Sequence, residues 1–305
     1  MKNRLRLRKK RSAMGATRNM TRDISYATSA QSRSGRAVIR VVENATGRIR
    51  LIKRARGYED EVAAGRDFWQ VMVERYGLSL DVISGSMENI PQDGPIIVIA
   101  NHPYGILDGL ILGHLLSLRR GDFRILAHRV FRKAEELDKV ILPISFDETK
   151  EAVALNIATR KESLRYLAGG GAIGIFPGGT VSTSSKPFSR AMDPGWRTFT
   201  AKMIARSGAT VVPIYFDGAN SRLFQLASRW HNTLRMALLI KEFKRRVDEP
   251  VRIAIGKPID PEMIASYRSD PKAMMDFLRS QTYALSPEPF NTSEYGFEFE
   301  DKHRA

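Results

Sequence analysis

Cysteine is absent from this 305-residue chain, which excludes disulfides and thiolate metal ligation. Histidine is scarce. His102, His114, His128, His231 and His303 are scattered, and none shows a ligand spacing such as H-E-x-x-H, so no metal is expected. Long apolar runs are also missing. The longest, residues 106–118, is too short to span a bilayer and carries Asp108 and His114. No apolar h-region follows the basic N-terminus, so no secretory signal is expected. Walker A and G-x-G-x-x-G spacings are absent between strand and helix patterns, and G-x-S-x-G is absent as well. Nucleotide binding and serine-hydrolase chemistry are therefore disfavoured.

Acidic residues are outnumbered. Lys and Arg total 49 against 33 Asp and Glu, a formal net charge of +16. Such a balance attracts polyanions. Lys2, Arg4, Arg6, Arg8, Lys9, Lys10 and Arg11 crowd the first eleven residues, and the stretch to Gly35 is polar with little apolar content. Residues 1–35 therefore read as a disordered basic arm suited to an anionic membrane surface. No RNP pattern, zinc finger or helix-turn-helix accompanies the charge, so no specific nucleic acid is expected. The expected location is the cytoplasm, peripheral on the inner face of the cell membrane.

Residues 36–285 alternate apolar strand and helix patterns, and 286–305 read as an irregular tail. Residues 38–52 fit helix or strand equally. Residues 58–76 predict one helix ending at Gly77, and 80–84 a short strand. Further strands are expected at 96–100, 123–127, 140–144, 172–176, 211–216 and 251–255. Helices are expected at about 106–118, 150–167, 196–206, 223–246 (one or two) and 271–285. This order predicts a single α/β domain with a mixed, mainly parallel sheet flanked by helices. Ser182 to Ser185 read as loop. His114 reads as packed, and Leu226, Leu234, Leu238 and Leu239 read first as core, or else as an acyl channel or membrane face with Trp230 and Phe243.

The chemistry concentrates where the strand at 96–100 ends, in Asn101-His102-Pro103-Tyr104-Gly105-Ile106-Leu107-Asp108-Gly109. A neutral imidazole takes a proton near neutral pH, and a carboxylate on its other nitrogen fixes the tautomer. On one continuous helix His102 and Asp108 would lie about 240° apart, at roughly 100° per residue. Pro103 disfavours helix at His102 and Gly105 permits a bend. A helix starting near Ile106 would place Asp108 in its first turn, able to point back at His102; otherwise the segment is a polar turn at a helix N-terminus. A second cluster, Phe176-Pro177-Gly178-Gly179-Thr180, offers either a nest of backbone N–H groups for an anion or a plain turn with positive φ.

In order, Asn101-His102…Asp108-Gly109, the block 123–129 ending in His128-Arg129, Phe176-Pro177-Gly178-Gly179-Thr180 and Val211-Val212-Pro213-Ile214 resemble the four blocks of the glycerolipid (lysophospholipid) acyltransferase family, over about residues 90–259. The likeness is to the bacterial branch with ornithine-lipid acyltransferases and hemolysin-like proteins, and Gly218-Ala219-Asn220-Ser221-Arg222-Leu223-Phe224-Gln225 shares it. The resemblance implies that residues 36–285 are an acyltransferase domain. It implies His102 as general base and Asp108 as its partner, with Asn101, Gly109, Arg129, Phe176, Pro177, Gly178, Gly179 and Thr180 binding substrate. It implies a fatty acyl group moved from acyl-CoA or acyl-carrier protein, a co-substrate, to a lysolipid hydroxyl, with no cofactor. Five residues separate His and Asp where the family has four, and Gly178 and Val181 replace the usual Glu and Arg of the third block. Arg129, Lys186 and Arg190 are the substitute cations, Arg129 first because it follows a strand end. An amino-acid acceptor (N-acylation) and a non-catalytic basic membrane- or nucleic-acid-binding protein are the alternative readings.

Overall fold

The structure, a computed structural model, describes residues 24–27, 30, 32–128, 135–145 and 149–299. Arg129 and most of the basic arm lie outside them. The arm's described end is folded, a correction to the boundary at residue 35. Ile24, Tyr26 and Ala27 are buried in the main core, and a helix begins at Arg33. Residues 38–52 are helical: α1 (Arg33–Thr46) and α2 (Arg48–Ala55) meet at Gly47. The single helix expected over 58–76 is two, α3 (Tyr58–Ala63) and α4 (Phe68–Arg75). Asp67 causes the break, because its carboxylate accepts from the Gln70 amide at 2.8 Å and starts a new helix.

Strands and helices then alternate: β1 (Ser79–Gly85), β2 (Ile96–Ala100), α5 (Ile106–Arg120), β3 (Arg124–His128), α6 (Glu135–Val140), β4 (Ile141–Ile144), α7 (Lys150–Ala168) and β5 (Ala172–Ile175). The loop expected at 182–185 instead contains β6 (Thr183–Ser184), antiparallel to β7 (Ala191–Met192). The chain continues as α8 (Thr198–Ser207), β8 (Thr210–Phe216), α9 (Arg222–Trp230), α10 (Asn232–Arg246), β9 (Pro250–Ile255), α11 (Pro261–Ser266) and α12 (Pro271–Tyr283).

The main sheet runs β1-β9-β8-β2-β5-β3-β4, with only the β8–β9 pair antiparallel among its ladders. It is mixed and mainly parallel. All five residues of β2 are buried, as a central parallel strand covered on both faces requires. Side chains alternate across it. Ile96, Val98 and Ala100 join the core of α4, α5 and α10, whereas Ile97 and Ile99 join the core of α8 and α12. The carboxyl ends of β2, β3, β4 and β5 converge on one rim. In open α/β sheets ligands bind at that rim.

The tail from 286 has no regular structure but is not loose. The Gly296 amide donates to the Asp193 carbonyl at 2.9 Å, and Arg197 holds Glu298 through two contacts of 3.0 Å. No helix of the described residues is long and apolar enough to cross a membrane.

Candidate active site

β2 ends at Ala100 and delivers His102 to the rim. Gly105 makes the turn into α5 at φ +88°, ψ −121°, a conformation open to glycine but strained for other residues. Asp108 therefore falls in the first turn of α5 and faces backward. Its Oδ2 lies 2.9 Å from His102 Nδ1 and accepts the amides of Tyr104 at 2.8 Å and Gly105 at 2.9 Å. The structure thus brings His102 and Asp108 together as the six-residue step allows. Asp108 is fully buried while the His102 side chain is 18% exposed. Burial raises the Asp108 carboxyl above its ordinary value of 3.8, and the His102 contact and the two amides pull it back. Among the described residues its Oδ1 has no partner. An ionised carboxylate only accepts, so Nδ1 carries the proton and the free lone pair belongs to Nε2.

The ring is fixed on its face as well. Phe176, just after β5, stacks on it at 4.2 Å and 22°. Asp193, which sequence reasoning missed, fixes the backbone beneath. Its Oδ1 accepts the His102 amide at 3.1 Å and Ser182 Oγ at 2.5 Å, and its Oδ2 accepts Trp196 Nε1 at 2.9 Å. The Ser182 amide returns a bond to the His102 carbonyl at 2.8 Å. Asp193 sits 91 residues from His102, beyond any local motif.

His102 opens on a cavity of about 330 Å³, walled mostly by apolar side chains from α4, α5, α10 and the strand ends. Gly109, His128, Phe176, Gly179 and Thr180 also line it. Asn101 does not. Its amide spans to β8, accepting from Phe216 N at 2.7 Å and donating to Phe216 O at 2.9 Å, so it is a strand tie and not a substrate contact. Pro177 and Gly178 are absent from the wall too; Gly178 packs on Asp193, and the Pro177 carbonyl accepts the Arg197 amide. In the Phe176–Thr180 loop the Gly179 amide donates to the Phe176 carbonyl at 3.0 Å, with Gly179 at φ +69°. It is a turn, so that amide is not available to an anion. Lys186 lies on the β6–β7 connection, and Arg190 pairs with Glu288 at 3.0 Å and covers the Phe290 ring. Neither lines the cavity. Among the described residues the arginine that does is Arg235 of α10, buried and donating to Thr180 Oγ1 and to the Val181 carbonyl. One signal in the sequence marks it: Arg235 interrupts the stripe continued by Leu239 and Phe243 at i+4 and i+8.

A tautomer-fixed imidazole beside an apolar cavity, at the carboxyl ends of a mainly parallel sheet, suits transfer of an apolar acyl group. Residues 48–288 match the acyltransferase family, and the chain belongs to that family, an enzyme class that transfers groups other than aminoacyl groups. Its likeness is to glycerolipid and lysolipid acyltransferases. It is 25% identical over 234 residues to the lyso-glycine lipid O-acyltransferase of Phocaeicola vulgatus, covering 72% of this chain and 78% of that protein. It is 24% identical over 237 residues to the enzyme of the same name from Bacteroides thetaiotaomicron, covering 74% and 82%. A solved structure, the 1-acyl-sn-glycerophosphate acyltransferase PlsC of Thermotoga maritima, is similar at TM-score 0.44 and 17% identity over 87% of each chain.

Proposed function

We propose that this protein transfers a fatty acyl group from a thioester, acyl-CoA or acyl-carrier protein, to the hydroxyl of a lysolipid of the amino-acid-lipid kind, such as a lyso-glycine or lyso-ornithine lipid. The observation that carries this is the His102–Asp108 pair opening on the apolar cavity. The names of the two relatives support the lysolipid acceptor. At about 330 Å³ the cavity falls within the roughly 300–1,000 Å³ of small-ligand sites.

In this mechanism the acceptor hydroxyl oxygen attacks the thioester carbonyl carbon while His102 Nε2 takes its proton. Asp108 stabilises the imidazolium so formed. The tetrahedral intermediate collapses, the C–S bond breaks, and the imidazolium returns the proton to the leaving thiolate. Ester and thiol are the products, and no acyl-enzyme forms. Membrane contact would use the outer faces of α9 and the hairpin tip. Trp230 and Phe188 are 82% and 77% exposed, with Leu223 and Leu226 beside them, and Arg222 reaches the Phe188 ring.

The test is labelled acyl transfer by purified protein, with acyl-CoA and acyl-carrier protein as donors and lysolipids and free amino acids as acceptors. His102→Ala is expected to reduce transfer by about 10²–10⁴-fold without loss of folding. Full activity in a folded His102→Ala protein overturns the mechanism. Transfer only to free amino acids overturns the acceptor class.

A further inference from the structure

The Phe176–Thr180 loop carries no charged side chain, yet the cavity beside it is not without a cation. Arg235 reaches it from α10, 55 residues away from Thr180 in sequence. The side chain is 5% exposed, a depth at which a cation is normally paired. Among the described residues no carboxylate pairs with it. Its Nη2 is spent on Thr180 Oγ1 and, at 2.9 Å, on the Val181 carbonyl, both neutral acceptors. Its Nε is buried and has no partner. The Phe299 ring covers one face of the guanidinium at 4.1 Å, which leaves the edge as its reactive side. Burial lowers its pKa to about 10, against the weaker pull of Tyr26 and Glu298, and the guanidinium stays protonated at neutral pH.

Leu239 and Phe243 continue the same helical stripe along the cavity wall, and Met236 stands beside it. An arginine in such a wall disrupts an apolar surface unless something anionic meets it. The Nε–H is the donor on that edge left to meet an anionic oxygen. The wall also includes His102, so an anion on Arg235 and a hydroxyl at His102 belong to one occupant.

We propose that Arg235 binds the anionic headgroup of the acceptor, a carboxylate or a phosphate, and so orients the acceptor hydroxyl toward His102. This rests on the lysolipid acyltransferase reading above and adds the charge of the acceptor to it. Thr180 holds the guanidinium in place.

The test separates binding from catalysis by using the His102→Ala protein, which keeps Arg235 and the rest of the cavity wall. Isothermal titration is run with N-(3-hydroxyacyl)glycine, its methyl ester and lysophosphatidate. The expected result is that at least one of the two anions binds tenfold or more tightly than the uncharged ester. Arg235→Gln should abolish that preference, and Arg235→Lys should retain part of it. The carboxylate and phosphate arms identify which anion is native. Equal binding of ester and both anions, or no binding of either anion, overturns the proposal. So does an Arg235→Gln change that weakens ester and anions alike, which marks a purely structural arginine holding the loop. If Arg235→Gln does not fold, the anion-against-ester comparison in the His102→Ala protein still decides. In the otherwise unaltered enzyme, Arg235→Lys should raise KM for the anionic acceptor and leave KM for the acyl donor unchanged. Failure of the unaltered enzyme to transfer acyl groups would overturn the activity while leaving these binding results readable.

Discussion

Asp108 and Asp193 are both fully buried and both hold His102, yet their surroundings differ. Asp193 has donors on each oxygen: the His102 amide and Ser182 on one, Trp196 on the other. Asp108 places every bond on Oδ2 and leaves Oδ1 bare. Asp193 grips backbone and framework, whereas Asp108 grips the imidazole. A saturated carboxylate is arranged for stability, and an under-satisfied one carries a desolvation cost that only a function explains. The two residues should therefore separate activity from stability when each is changed.

The largest effect should come from Asp108→Asn. The side chain keeps its shape but no longer stabilises an imidazolium, and kcat should fall by about 10²–10⁴-fold. Stability should not fall with it. Burial raises the Asp108 pKa in the folded state, so the folded protein binds that proton more tightly than the unfolded chain. The stability tied to this group is present below the unfolded value near 3.8 and is lost as pH rises through the folded value. The Asp108→Asn protein, with no proton to lose there, would escape that loss. Urea midpoints measured from pH 4 to 7 should show the variant gaining on the unaltered protein as pH rises. A midpoint that falls sharply and uniformly would place Asp108 in the same structural role as Asp193.

Asp193→Ala is the converse. It strands the His102 amide, Ser182 Oγ and Trp196 Nε1 without an acceptor, each costing about 1–3 kcal/mol when buried. A loss of roughly 3–5 kcal/mol in unfolding free energy is expected, read by urea denaturation. Acyl transfer per folded molecule should fall far less than in Asp108→Asn. A stable but inactive Asp193→Ala protein would break the comparison.

These two carboxylates also mark where the sequence could and could not be read. Asp108 was legible because all its determinants are local: Pro103 stops helix, Gly105 bends the chain, and α5 begins where its apolar pattern begins. The strand order of the sheet was less legible, but its class followed from alternation of strand and helix. Asp193 was not legible as a site residue, and Arg235 only as a charge that interrupts an apolar stripe. Their partners lie 91 and 55 residues away, and each looks like an ordinary loop or helix charge until the chain is folded. The glycine loop was legible only as one of two alternatives, an anion nest or a turn. Its composition fits an anion nest, but the Gly179 amide closes its own turn. The tail was legible as irregular but its packing was not, because contacts without periodicity leave no pattern. Residues 296–298 contact Asp193, Thr183 and Arg197 through backbone bonds and one ion pair.

A smaller effect is expected at the bend itself. Gly105→Ala forces a side chain into φ +88°, and the new Cβ would meet Tyr26 Oη at 3.1 Å. Such a residue costs roughly 1–3 kcal/mol. Relaxing the strain would move the Gly105 amide off Asp108, so stability and kcat should fall together. Thermal melting and transfer rate measured on one preparation check this. A drop in kcat with no drop in stability would mean that the bend serves the chemistry alone.

The smallest effect tests the imidazoles instead of the carboxylates. His114 lies in α5, twelve residues after His102, and is also largely buried, but its Nδ1 has no partner. Desolvation lowers its pKa below the ordinary 6.5, against the weaker pull of Asp67 and Glu74. A histidine lowered in the folded state is protonated first in the unfolded chain, so stability is lost as pH falls below about 6.5 toward the folded value. His114→Gln should remove this slope from a plot of urea midpoint against pH between 5 and 7.5 and leave transfer unchanged at neutral pH. That contrast isolates what Asp108 adds. Both rings sit in apolar surroundings within one segment of chain, and of the two only His102 has a carboxylate that accepts a hydrogen bond from Nδ1–H and balances the charge of a second proton on Nε2. If His114→Gln abolished acyl transfer, the working imidazole would not be the one paired with Asp108, and the site would have to be redrawn around α5.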